Sequence, residues 1–255
     1  RGAGLSVLEA VAIAAAGMAA GTINTVVGSG TLITFPVLLA FGYAPVTANV
    51  TNTLGLVPGS ASGAYGYRAE LRGQWRRTGR LACASLVGGV TGAVLLLVLP
   101  ASAFKAIVPV FIALALALVV LQPRLSAWLT ARGQEPTPHA GWAVMLGVFA
   151  AGVYGGYFGA AQGILLLAIL GLGLPESLQR VNAVKNVLAG LVNLVAAVVF
   201  VIVAHIAWDA AALIALGAVC GGVIGARVGR RLPPAVLRGV IVVVGVSAIA
   251  QLLLR

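Results

Sequence analysis

Apolar residues fall along this chain in long blocks rather than in alternation. Stretches of mostly apolar residues lie at roughly 5–27, 46–66, 79–99, 104–121, 141–158, 178–204, 208–226 and 235–254. A helix that crosses a bilayer takes about 20 such residues. Two shorter apolar pieces, at about 31–42 and 161–171, cannot cross. Each follows a glycine-rich break, Gly28-Ser29-Gly30 in one case and Gly155-Gly156-Tyr157-Phe158-Gly159 in the other. Each then ends at a glycine followed by a proline, Gly42 to Pro45 and Gly173 to Pro175. Proline suits the first turn of a helix, where its missing N–H costs nothing. Pro45 and Pro175 therefore read as helix starts, and the short pieces as arms of helical hairpins dipping into a membrane.

Composition removes the alternatives. The chain has 255 residues, of which 61% are hydrophobic and 8% charged. A soluble domain carries about 25% charged residues, so five acids cannot clothe a globule of this size. Disorder is excluded by the same figures. Two cysteines outside any CxxC pair exclude a disulfide scaffold. The net charge of +11 would suggest nucleic acid in a soluble protein. Here the basic residues fall between apolar runs, without a basic surface interleaved with aromatics, so they read as orientation signals and no nucleic-acid partner is expected.

The two halves of the chain match. Gly21 and Gly28 correspond to Gly152 and Gly159 at an offset of 131, and Pro45 and Asn52 to Pro175 and Asn182 at 130. At an offset of 133, Trp75 corresponds to Trp208, Leu99-Pro100 to Leu232-Pro233, and the glycine motif 88–93 to 221–226. One match in a chain of 34 glycines would be noise, but several in order indicate duplication.

Charge placement orients the halves. Arg68, Arg72, Arg76, Arg77 and Arg80 crowd the loop 67–80, which reads as cytoplasmic, whereas its counterpart at about 204–209 holds only His205 and Asp209. Conversely, the loop 227–238 holds Arg227, Arg230, Arg231 and Arg238, and its counterpart at about 100–105 only Lys105. Equivalent loops lie on opposite faces, so the repeats are inverted and each half crosses an odd number of times. Three crossings per half, with re-entering hairpins, satisfy this, and five would as well. The expected architecture is an all-α polytopic membrane protein with two inverted repeats and broken, partly re-entrant helices. Residues 1–121 form the first repeat, 122–139 a cytoplasmic linker and 140–255 the second. Inverted repeats with broken helices are a transporter signature, with the substrate site where the breaks meet.

At these residues the chain resembles the TauE/SafE family, the sulfite and organosulfonate exporters also grouped as toluene-sulfonate uptake permeases. The resemblance lies in the early glycine-rich break, Pro36-Val37-Leu38-Leu39, the polar helix from Pro45 through Asn49 and Asn52, and the Arg-rich loop followed by Gly-Gly-x-x-Gly-Ala, with the polar helix and the glycine motif recurring in the second half. It implies secondary transport of small sulfur-containing or carboxylate anions across a bacterial inner membrane. Substrate and direction vary within the family.

An ionisable residue inside a membrane helix is a functional candidate by default. Lys185 lies about 15 Å past Pro175 along a helix. Asn182, Asn186 and Asn193 share one helical face, flanked by Gln179 and Lys185. An ammonium with three donors, beside amides, suits sulfonate or carboxylate oxygens. The structural alternative is that Lys185 snorkels to the membrane edge or pairs with Glu176. Arg180, nearer the helix start, reads as an anchor. The first repeat supplies Asn49, Asn52 and Thr53, and the symmetry of Asn52 with Asn182 suggests that the two face each other across the site; interhelical hydrogen bonding is the alternative. The breaks add backbone N–H groups at Ser29, Gly30 and Thr31 and at Ala160, Ala161 and Gln162, since helix N-termini attract anions. Asn24, Thr25 and Gln162 sit beside the breaks as substrate contacts or caps.

The remaining features read as structural. The glycine motifs suit close packing, Trp75 and Trp208 interface anchors, and Cys83 and Cys220 inert thiols of the core. His139 and His205 have no partner at metal spacing. Glu9, Glu70, Glu135, Glu176 and Asp209 lie in loops or near helix ends, so a carboxylate proton relay has little support. No catalytic residue, cofactor or metal is expected. The partners implied are a small anion and the lipid bilayer, with homodimerisation left open. A channel of the same architecture is the main competing function. An intramembrane enzyme would rest on Gly28-Ser29-Gly30 alone, with no histidine in an apolar span to serve as its base.

Overall fold

A computed structural model describes residues 5–131, 141–174, 176–227, 242, 243 and 246. Among these the regular structure is entirely α-helical. The helices are α1 (Val7–Val26), α2 (Thr31–Ala40), α3 (Pro45–Gly66), α4 (Trp75–Val98), α5 (Ala101–Ala131), α6 (Trp142–Tyr157), α7 (Gln162–Gly173), α8 (Leu178–Val203) and α9 (Trp208–Arg227). All of the expected span at 235–254 except residues 242, 243 and 246, and the basic loop around Arg230, Arg231 and Arg238, His139, Glu135 and Pro175, lie outside the described residues.

Five helices are long and apolar enough to cross a membrane: α1, residues Ala101–Leu121 of α5, α4, α8 and α9. Their outward faces carry exposed Val11 on α1, Val87 and Val94 on α4, Val198 and Ile202 on α8, and Leu216 on α9. Such surfaces face lipid, and the chain is a multi-pass membrane protein. Helix α3 differs. It starts at Pro45 as the proline rule predicts, but the run Ala48–Thr53, with its two asparagines and two threonines, is buried inside the bundle. The stretch expected to span at 141–158 forms a helix of 16 residues, somewhat short for a crossing. Helices α2 and α7, of 10 and 12 residues, reach about 15 and 18 Å, half a hydrocarbon core or little more.

The ends of α1 and α6 are built alike. Val27 N–H and Gly28 N–H both donate to Ile23 O, at 2.7 and 3.0 Å, and Phe158 N–H and Gly159 N–H both donate to Tyr154 O, at 2.9 and 3.1 Å. Gly28 and Gly159 take the left-handed conformation (φ 88° and 76°) that ends a helix with such bonds. The breaks foreseen from glycine are thus glycine C-caps.

Helix pairing repeats with the sequence. Helix α1 packs on α9 as α6 packs on α4, and α3 packs on α9 as α8 packs on α4. The glycine motifs make the first pair of contacts close. A Cβ on Gly88 would lie 2.3 Å from Phe149 O, and one on Gly221 would lie 2.0 Å from Met18 O. These are equivalent contacts at the offsets of the sequence repeat, and they show the motifs acting in packing. Helices α3 and α8 cross near Ser60 and Gly190, which are themselves equivalent positions. Cys83 and Cys220, expected in the core, are exposed on α4 and α9. A thiol behaves as a small apolar group, so a lipid-facing position costs it little.

Candidate functional site

The last carbonyls of a helix have no partner within it. In α1 the glycine turn takes Ile23 O, and the chain then leaves the helical path, so the carbonyls of Asn24 and Thr25 must be met from elsewhere. Helix α8 meets them. Its inward face carries Asn182, Lys185 and Asn186 at i, i+3 and i+4, all buried. Lys185 is 0% exposed. Its Nζ donates to Asn24 O at 3.1 Å and Thr25 O at 3.4 Å. Asn182 Nδ2 and Asn186 Nδ2 donate to the same Thr25 O at 3.4 and 3.2 Å. A cation at a helix C-terminus is also favoured by the dipole.

The same lysine touches the second break. Its Cδ lies 3.1 Å from where a Gly163 Cβ would stand. Gly163, in the first turn of α7, is pressed against Gly28: a Cβ there would lie 2.4 Å from Gly28 Cα, and Gly163 N–H donates to Gly28 O at 3.1 Å. Both breaks and the buried ammonium therefore meet at one place, where the repeat predicts a site. At Ala161, just before α7, a non-glycine residue holds a left-handed conformation (φ 59°).

Several buried polar atoms here have no hydrogen-bond partner among the described residues: Ser29 Oγ, Gln162 Nε2, Asn182 Oδ1, Asn49 Oδ1 and Tyr157 OH. Ser29 is 0% and Gln162 3% exposed. The Gln162 carboxamide folds over Gly155, where a Cβ would collide with it. Unpaired polar atoms in an interior are costly and usually have a reason; a polar ligand is one that fits a junction of two helix breaks.

The other predicted residues have separate partners. Thr34 Oγ1 donates to Asn52 Oδ1, and Asn52 Nδ2 donates to Thr31 Oγ1 at 3.2 Å, fastening α3 to α2. Asn182 is turned instead to the end of α1, so each of the two equivalent asparagines serves its own neighbour. Asn49 Nδ2 donates to Tyr157 O at 2.9 Å, tying α3 to the second break. Asn24 and Asn193 side chains both donate to Ser60 Oγ, at 3.4 and 3.3 Å. Thr25 Oγ1 donates within α1, to Gly21 O. The side chains of Asn24 and Thr25 therefore do not cap the break; their main-chain carbonyls receive the lysine. Gln179 is exposed at the start of α8, apart from the cluster.

Lys185 does not pair with Glu176. That carboxylate, in the α7–α8 connection, accepts from Arg77 of α4 at 2.6 Å and from Arg180 at 2.5 Å. Partial burial pushes Glu176 up, but the hydrogen bonds from Arg180 and Arg77 outweigh it and hold the group below the usual carboxylate range. Arg77 also donates to Gln74 Oε1, and Arg180 donates to Arg72 O. The Arg-rich loop is thus fastened to the second half. Sequence reasoning missed two elements, the carbonyl acceptors at the end of α1 and this ion-pair network. The first was signalled by Gly28, which as a helix terminator orphans the carbonyls before it.

Relatives of the chain carry transporter names. It is 26% identical over 237 residues to "Probable membrane transporter protein YfcA" of Escherichia coli (strain K12), covering 92% of this chain and 86% of that one. It is 27% identical over 236 residues to "Probable membrane transporter protein ORF9" of Sinorhizobium sp, covering 92% and 88%. A third match, 25% identical over 244 residues and covering 92% and 91%, is a "Probable membrane transporter protein" of Haemophilus influenzae. No solved structure matches. The family model described as "Sulfite exporter TauE/SafE" matches residues 13–252, nearly the whole chain, and with the broken-helix bundle described above it places this membrane protein in the TauE/SafE family.

Proposed function

We propose that the chain moves small sulfur-containing or organic anions, such as sulfite, sulfonates or sulfocarboxylates, out of the cell by alternating access. The observation that carries this reading is Lys185, a fully buried ammonium held at the point where the two helix breaks touch. A charge at such depth is expensive and is retained for binding or transport. The family description, a sulfite exporter, supports the substrate class. The equivalent contacts of α1 with α9 and of α6 with α4 support two repeats. The Arg-rich loops 67–80 and 227–238 support their inverted insertion in a bacterial inner membrane, both loops facing the cytoplasm. Rocking of one repeat against the other would then expose a fixed site to each side in turn. Ser29 has no histidine beside it in the described helices, so the chemistry of a serine hydrolase has no base here.

The competing reading is an anion channel of the same build. Purified protein in liposomes, preloaded with unlabelled sulfite and diluted into trace labelled sulfite, separates the two. Transient accumulation of label, saturable and stimulated by the internal anion, is expected of a transporter. Conductive flux that neither saturates nor responds to the trans anion would replace this proposal with the channel.

A further inference from the structure

We infer that the site selects singly charged anions over doubly charged ones, which within the proposed class favours hydrogensulfite and simple sulfonates over the sulfite dianion and sulfocarboxylates. This rests on the reading of Lys185 as an anion ligand and deepens it, by asking how much charge the site can neutralise. Each break brings together one helix C-terminus and one helix N-terminus: α1 ends where α2 begins, and α6 ends where α7 begins. Their partial charges are of similar size and opposite sign, so the four helix ends add no net charge. What remains is the charge of Lys185.

No second cation reinforces it among the described residues. Helices α1, α2, α3, α6 and α7 contain neither lysine nor arginine. On α8 the other cation is Arg180, more than a turn away and paired with Glu176. On α4, Arg77 is committed to the same carboxylate, and Arg76 and Arg80 are exposed. Lys105 is exposed at the start of α5, and Arg227 at the end of α9. Of the described carboxylates, Glu9 is in the capping box of α1 with Ser6, Glu70 lies in the α3–α4 connection, Asp209 is exposed in the first turn of α9, and Glu176 is taken by its two arginines. The position equivalent to Lys185 in the first repeat is Gly55, which packs against Ile214 of α9. Among the described residues the site therefore holds one charge and not two.

The neutral groups point the same way. Asn182 and Asn186 each donate an amide N–H to Thr25 O, and Asn182 Oδ1 is left as an acceptor without a partner among the described residues. An acceptor beside the ammonium adds negative potential, which penalises a second negative charge. A monoanion and Lys185 make a neutral pair inside the bundle. A dianion would carry one uncompensated charge into the same interior, and a buried charge without a partner is strongly disfavoured.

The test is binding to the purified full chain in detergent, read by thermal unfolding with methanesulfonate and with sulfate as the probes. Sulfite is added as a third probe across neutral pH, where hydrogensulfite gives way to the dianion. The expected results are an apparent affinity at least tenfold higher for methanesulfonate than for sulfate, and an affinity for total sulfite that falls more steeply as pH rises than that for methanesulfonate. Lys185→Gln is expected to lose methanesulfonate binding without gaining sulfate. Gly55→Lys, or Leu56→Lys if the first fails to fold, adds a second cation to the first repeat and is expected to narrow the preference. Sulfate binding as tight as methanesulfonate, to the wild type and through Lys185, would overturn the single-charge inference and leave the anion site standing. Absence of binding by all three anions would overturn both.

Discussion

Replacing Gly163 with alanine tests the junction of the two breaks. The added Cβ would stand 2.4 Å from Gly28 Cα and 3.0 Å from Gly28 O, against about 3.5–4.0 Å for ordinary carbon contact. Both neighbours are main chain, so no side-chain rotation relieves the clash, and the breaks must separate by about 1 Å. Overpacking of this kind costs about 1–3 kcal/mol. The hydrogen bond from Gly163 N–H to Gly28 O, now 3.1 Å, stretches towards rupture, which adds about 1 kcal/mol. Alanine's better helix propensity returns at most about 1 kcal/mol. A net loss of roughly 1–4 kcal/mol follows, together with weaker anion binding, because Lys185 Cδ lies 3.1 Å from the new methyl. Unfolding in mixed detergent micelles measures the first effect. Gly79→Ala is the control, since nothing lies within 4 Å of a Cβ at that helical position; it is expected to match the wild type or exceed it by up to about 1 kcal/mol. If Gly163→Ala proves as stable as Gly79→Ala and binds anion as the wild type does, the breaks do not touch as described.

Three further outcomes are expected. Glu176→Gln removes a carboxylate held low by Arg180 and Arg77. Its stabilisation is present above the unfolded carboxylate range and is lost as pH falls through the folded value. The variant is therefore less stable by about 1 kcal/mol at neutral pH, and acid unfolding scans of the two proteins converge below the folded value; parallel scans would refute the pairing. Ala161→Gly relieves the left-handed strain at the start of α7 (φ 59°) and raises stability by about 1 kcal/mol in the same micelle assay, whereas a loss would show that the conformation is not strained. In a background lacking Cys83 and Cys220, single cysteines at Arg76 and His205 should react with an impermeant thiol reagent from opposite sides of the membrane; labelling from one side would contradict inverted repeats.

Much of the architecture was legible because the bilayer imposes length. The apolar stretch at 178–204 became α8 at Leu178–Val203, and that at 208–226 became α9 at Trp208–Arg227. The short pieces became α2 and α7 because the glycines before them end helices by adopting left-handed conformations. Lys185 stood out because a charge in an apolar stretch needs a partner. Its partner was not legible, since the natural guess is a carboxylate, and main-chain carbonyls leave no mark in a list of side chains. They become visible only once Gly28 is recognised as the residue that strips Asn24 and Thr25 of their helical donors. The symmetry of Asn52 and Asn182 misled in a similar way. Equivalent positions need not meet, and here one asparagine finds two threonines on α2 while the other finds a carbonyl of α1. The outward placement of Cys83 and Cys220 was hidden because in a membrane protein an apolar residue suits either face.

The account stands on Lys185 as the anion's ligand. Equilibrium binding of radiolabelled sulfite to purified wild type, Lys185→Arg and Lys185→Gln, each first shown to be folded by gel filtration and helical content, tests it most directly. The account predicts that Lys185→Gln loses at least 90% of specific binding, roughly a tenfold or greater drop in affinity, and that Lys185→Arg, which keeps the charge on a bulkier head, retains part of it. Wild-type affinity in folded Lys185→Gln would contradict the account.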